Sequence, residues 1–140
     1  MTGIGVPHDR YVVDEDGNEK AMGYVLRLGP ITIFHAGDTV ATNRLVQEVT
    51  ACGPLTAAFL PINGRDWVRE SQNIIGNMTP QEAAILTRLL APKVVIPTHY
   101  DLWKGNTESP LIFAHYMLQE DPSQAFHFLK PGEPYILYAC

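Results

Sequence analysis

In this 140-residue chain, five histidines and fifteen acidic residues supply most of the side chains able to hold a cation or move a proton. Two of them stand where an apolar run breaks off into a polar turn. Ile31-Thr32-Ile33-Phe34 leads into His35-Ala36-Gly37-Asp38-Thr39, and Val94-Val95-Ile96 leads into Pro97-Thr98-His99-Tyr100-Asp101. At the carboxyl ends of strands in open α/β sheets, a rigid strand aims the side chain and the following loop leaves room for a ligand. Gly37 lets the backbone come close to such a ligand, and the two oxygens of Asp38 could bridge two cations of hard or borderline character. A neutral imidazole at His99 could complete the shell of one of them. His8, in Val6-Pro7-His8-Asp9, is a third candidate. The same residue types also have an ordinary structural use, because an Asp after Gly commonly bonds its own backbone and a His at a strand end commonly packs.

The elements that would position these residues follow from turn chemistry and periodicity. An extended piece is expected from Val6 to Val13, followed by an acidic turn at Asp14-Glu15-Asp16-Gly17-Asn18. Strands over Gly23–Leu28 and Ile31–Phe34 meet at Gly29-Pro30. Thr42 or Asn43 can cap a helix running to about Thr50, which Gly53-Pro54 closes, and Thr56–Leu60 reads as a short buried strand. The stretch from Ile62 to Met78 has two Gly, three Asn and no steady period, so it reads as a partly ordered functional loop. Thr79-Pro80-Gln81-Glu82 combines a capping hydroxyl, Pro at the first helical position and an acid in the first turn, and so predicts a helix that Pro92 ends. Val94–Ile96 resembles a strand at the buried centre of a mixed sheet. A last helix is expected over about Ser109–Gln119, with Leu111, Ile112, His115 and Met117 in one stripe, and two closing strands over Phe126–Phe128 and Tyr135–Tyr138.

Composition limits the partners. The hydrophobic share of 46% suits one modest core, hence a single domain over 1–140, and eleven Gly with eleven Pro fit short elements in an α/β chain rather than a helical bundle. A net charge of −5 without a basic block gives no footprint for nucleic acid. No run nears the roughly 20 apolar residues of a membrane span, and the first residues do not look like a signal peptide, so a cytoplasmic location away from membranes is expected. Cys52 and Cys140 offer neither a disulfide framework nor a CxxC knuckle, which leaves His and Asp to hold any metal.

Five strings carry a family likeness: Met22–Arg27, Thr32–Thr39, Leu60–Asp66, Asn73–Met78 and Val95–Asp101. In order and spacing they resemble the C-terminal half of a metallo-β-lactamase-fold hydrolase and, more narrowly, the branch that contains L-ascorbate-6-phosphate lactonase. The resemblance implies an α/β fold, one mixed sheet with its flanking helices out of an αββα sandwich. It further implies a centre of two divalent ions, zinc or manganese, roughly 3.5–4 Å apart and sharing a hydroxide that attacks a lactone, ester or phosphoester. Asp38 would match the bridging carboxylate and His8 and His99 the histidines that complete one ion each. Asn63 and Arg65 would lie near the cleft mouth, where an Arg fork could clamp an anionic substrate or pair with Asp66 or another acid. His35 would pack or hydrogen-bond behind the Gly-Asp turn, and Asp101 would either orient a ligating His or stand as an exposed turn residue. Trp67 and Trp103 would line the cleft or lie partly buried.

The family's HxHxDH loop has no counterpart in this sequence. The reading is therefore a lactonase-like hydrolase of a small anionic lactone or ester, present as an incomplete half and inactive by itself. Its alternatives are a small-molecule phosphodiesterase and a non-catalytic fragment or subunit. A sheet face left without its partner layer would favour self-association or a separate N-terminal half.

Overall fold

The computed structural model describes residues 1–74 and 76–138; Ile75, in one of the five strings, and Cys140 lie outside them. Five strands form one mixed sheet: β1 (Thr2–Gly5), β2 (Met22–Leu28), β3 (Ile31–His35), β4 (Ala57–Pro61) and β5 (Val94–Thr98), ordered in space as in sequence. The β1–β2 and β2–β3 pairs are antiparallel, while β3–β4 and β4–β5 are parallel. The parallel pairs need crossovers, which helices α1 (Asn43–Thr50) and α3 (Pro80–Leu90) supply. A five-residue helix α2 (Trp67–Ser71) lies within the long 62–78 segment, and α4 (Pro110–Glu120) follows β5.

Local sequence accounts for the helix ends. Thr42 accepts the Leu45 N–H at the start of α1. Thr79 and Glu82 form a reciprocal capping box at the start of α3, where Pro80 needs no N–H partner. One face of the sheet and the three longer helices share the main core. Ile4, Val25, Phe34, Ala58, Leu60 and Val95 pack with Leu45 and Val49 of α1, Ala83, Ala84 and Leu86 of α3, and Phe113 and Met117 of α4. The opposite face is covered only in part. Ala57, Val94 and Ile96 are sheltered there by Leu129 and Leu137, whereas Tyr24 is 41% and Leu28 63% exposed.

Several expectations are corrected. The first strand is Thr2–Gly5, and Val6–Val13 is not a strand, because Pro7 lacks an N–H for a ladder. The acidic turn does form, closed by a single bridge between Val13 and Glu19. Strand β5 is the outermost named strand instead of the centre of the sheet. Its free edge is met by residues 125–127 through one parallel bridge at Val95–Phe126. Neither Phe126–Phe128 nor Tyr135–Tyr138 forms a named strand; the tail packs by side chains, with Tyr135 against His127. On α4 the buried pair is Phe113 and Met117, four residues apart, while Leu111 and Ile112 face outward.

Candidate functional site

Two strand ends and one loop meet at Asp38. Beyond β3, Gly37 turns the chain at φ +65, a left-handed conformation that favours glycine. A Cβ there would come within 2.9 Å of the Met22 carbonyl oxygen, so the turn that presents Asp38 lies tight against β2. Beyond β5, His99 adopts φ +60 without being glycine. Residues held in this region carry strain and concentrate at functional sites. His8 arrives on the loop after β1, held by the preceding residue, because the Pro7 carbonyl accepts from both the Thr39 hydroxyl and the Val40 N–H, each at 3.0 Å.

The resulting geometry is bilateral. His8 Nε2 lies 3.9 Å from Asp38 Oδ2, and His99 Nε2 lies 3.4 Å from Asp38 Oδ1. Each carboxylate oxygen thus faces its own imidazole. Among the described residues, no group of three or more His, Cys, Asp or Glu side chains is arranged to hold one ion between them. Asp38 with either imidazole supplies two protein donors, fewer than the three or four that zinc sites usually take from protein. His99 Nδ1 is buried and finds no hydrogen-bond partner among the described residues, so Asp101 does not orient it; Asp101 lies exposed in the next turn.

His35 stacks on Phe59 with the rings 9° from parallel, and its Nδ1 accepts the Gly37 N–H at 3.1 Å. Burial holds its pKa below the ordinary imidazole value, while the Asp38 charge pulls the other way. The ring thus braces the turn with an unprotonated nitrogen.

The expectations for Asn63 and for the two Trp change, while Arg65 takes the second of its two expected roles and pairs with an acid. Asn63 does not lie at a cleft mouth: it is fully buried, with its side-chain NH2 donating to Asn106 Oδ1 and its Oδ1 accepting from Asn77, both at 2.9 Å. A buried amide with both ends paired is structural. Arg65 is bound on two sides, donating to Glu82 Oε1 at 2.5 Å and to the Asn77 carbonyl at 3.0 Å, and Asp66 pairs with Arg69 instead. Trp67 and Trp103 are both largely exposed and do not lie partly buried.

Sequence reasoning missed Arg69. Nearly buried, it caps the loop from inside by donating to the Asn63 carbonyl at 2.7 Å and to Asn106 Oδ1 at 2.9 Å, besides Asp66. The only signal was a cation and three Asn crowded into one aperiodic segment. Two cavities of about 220 Å³ open near the site. One, lined by Asp9, Arg65, Glu70 and Asn73, takes in the residue after His8; the other, lined by Phe59, Thr98 and Lys130, includes His99 itself.

Comparison with known proteins agrees with this fold. Among solved structures, a metallo hydrolase from the hyperthermophilic archaeon Ignicoccus hospitalis superposes with a TM-score of 0.68 at 23% identity, over 91% of this chain and 48% of that one. An isothiocyanate hydrolase from Delia radicum gut bacteria gives a TM-score of 0.63 at 17% identity, over 83% and 43% of the two chains. In sequence, the chain is 34% identical over 111 residues to a metal-dependent hydrolase of Thermococcus kodakarensis, covering 79% of this chain and 44% of that protein. A metal-dependent hydrolase of Lysinibacillus sphaericus is 33% identical, with 79% and 42% covered. The chain thus spans a little under half the length of the curated relatives it matches. The family model described as a beta-lactamase superfamily domain matches residues 1–100. With that match and the metallo-β-lactamase-like mixed sheet beneath it, the chain belongs to the beta-lactamase superfamily domain family.

Proposed function

We propose that this chain carries His8, Asp38 and His99 as its share of a two-ion metal centre in a hydrolase of small anionic lactones or esters, of the L-ascorbate-6-phosphate lactonase-like branch. The observation that carries the reading is Asp38 standing between two imidazoles, with a different oxygen toward each. Asp38 would hold both ions, His8 one and His99 the other. Zinc and manganese both suit a set of one carboxylate and two imidazoles. Such ions, when bound, lower the pKa of water and stabilise negative charge developing on the substrate.

The chain's own residues have separate tasks. The strained backbone at His99 and the Gly37 turn fix where the donors stand. Arg65 and Lys130 place a cation beside each cavity for an anionic substrate group, although Arg65 is held to Glu82 and so offers only its remaining N–H groups. The half-exposed apolar face carrying Tyr24 and Leu28 is where the rest of a two-layer fold, in a longer chain, a separate polypeptide or a second copy, would seat.

The test joins this chain to the part of the Thermococcus kodakarensis relative that it does not match and assays a panel of sugar lactones, esters and small phosphodiesters with zinc or manganese. The chain alone is expected to be silent. The chimera is expected to turn over lactones, with activity removed by EDTA and by Asp38→Asn. Turnover of phosphodiesters alone would replace the substrate class. A metal-loaded chimera inert toward the whole panel would favour the non-catalytic reading.

A further inference from the structure

The loop bearing His8 and the turn bearing Asp38 are joined by a residue whose hydrogen bonds, among the described residues, go to neither side chain. Thr39, directly after Asp38, is fully buried, and its hydroxyl has the Pro7 carbonyl, directly before His8, as an acceptor at 3.0 Å, with the Val40 carbonyl also in reach at 3.1 Å. The Val40 N–H donates to the same carbonyl at 3.0 Å, and the Thr39 carbonyl accepts the Met78 N–H at 3.1 Å. One residue therefore ties the loop bearing His8 to the turn bearing Asp38, and both to the end of the 62–78 segment. Before Pro7, Val6 is anchored in the main core and by its N–H to Ala21, whereas after His8 Asp9 and Arg10 are exposed. The Thr39 and Val40 bonds are the hydrogen bonds that restrain the residue directly before His8 from the Asp38 side. His99 directly follows β5 and, among the described residues, shares no hydrogen bond with Thr39.

We infer that Thr39 is a positioning residue that sets the distance of His8 from Asp38, and with it the affinity of the ion shared by those two side chains. This inference rests on the metal reading above for its second clause only. Groups that orient metal ligands from behind typically affect affinity by about 10–100-fold.

Thr39→Val keeps the shape and removes the hydroxyl, while Val40 still supplies one donor to Pro7, so the fold should survive; Thr39→Ser keeps the hydroxyl. NMR of the metal-free 140-residue chain would follow the imidazole signals of His8 and His99 and the contact between His8 and Asp38. Thr39→Val should shift His8 and weaken that contact while leaving His99 in place, and Thr39→Ser should restore both. Zinc titration should then show about a 10–100-fold weaker step in Thr39→Val and a near-normal one in Thr39→Ser. Unchanged His8 signals in Thr39→Val, or equal displacement of His8 and His99, would overturn the inference. So would a Ser variant that behaves as the Val variant does. If zinc fails to bind the unsubstituted chain, the metal reading falls, and the His8 signals alone decide the role of Thr39.

Discussion

Arg65 separates a substrate clamp from a structural one. Its guanidinium spans Glu82 Oε1 at 2.5 Å and the Asn77 carbonyl at 3.0 Å, so it fastens the 62–78 segment to the start of α3. Arg65→Met removes both bonds but keeps the aliphatic stem, which matters because a Cβ on Gly76 would lie 2.9 Å from Arg65 Cγ. A hydrogen bond to a charged group contributes roughly 1.5–3 kcal/mol in a shielded setting, and an exposed ion pair roughly 0.2–1 kcal/mol. The Arg65 and Glu82 side chains are 29% and 36% exposed, which places the combined loss between those limits. We expect about 1–2 kcal/mol, or roughly 3–10 °C in the melting midpoint for a chain of this size.

The loss should depend on pH. Burial raises the Glu82 pKa, but the Thr79 N–H and the Arg65 guanidinium outweigh it and the net shift is downward. A carboxylate with a lowered folded-state pKa binds fewer protons folded than unfolded across that interval. Its contribution is full above the ordinary value of 4.5 and is lost as pH falls through the lower folded value. The gap between Arg65→Met and the unsubstituted chain should therefore be wide at pH 7 and narrow in strong acid. Urea unfolding at several pH values, with Glu82→Gln completing a double-mutant cycle, reads both effects. A coupling energy near zero, or a gap that does not change with pH, would refute this assignment of Arg65.

Three further outcomes follow from the packing. Phe34 is fully buried in the main core, and Phe34→Ala should cost about 3–5 kcal/mol in urea unfolding, with an unchanged slope. Gly37→Ala forces a Cβ within 2.9 Å of the Met22 oxygen at φ +65. It should lower stability by roughly 1–2 kcal/mol or more and displace the Asp38 signals by NMR. Replacing both Tyr24 and Leu28 with Lys on the exposed sheet face should reduce self-association in sedimentation while changing monomer stability by under about 1 kcal/mol.

The parts of this structure legible in the sequence are those governed by neighbours along the chain. Thr79-Pro80-Gln81-Glu82 announces α3 because both halves of its capping box lie within one turn, and Gly29-Pro30 separates β2 from β3 for a similarly local reason. The polar ends of β3 and β5 were visible as abrupt changes of character after apolar runs, and the parallel pairing through β4 brings those ends to one edge. What the sequence hid depends on distant partners. Thr2–Gly5 has a single large apolar residue, Ile4, and becomes a strand only by pairing with Met22–Val25. Arg69 reads as a surface cation until Asn106, 37 residues away, supplies its acceptor. Asn63 has the chemistry of a ligand group, and only the contacts with Asn77 and Asn106 show that its amide is fully used.

The central claim is that Asp38, with His8 and His99, binds divalent metal. The most direct measurement is elemental analysis of the 140-residue chain dialysed against zinc or manganese, with its mass in solution determined in parallel and with Asp38→Ala as the control. The unsubstituted chain should hold metal that the Asp38→Ala protein does not retain. Occupancy should approach two ions per chain if self-association completes the shells. Equal metal in the two proteins, whether high or near zero, would contradict the claim.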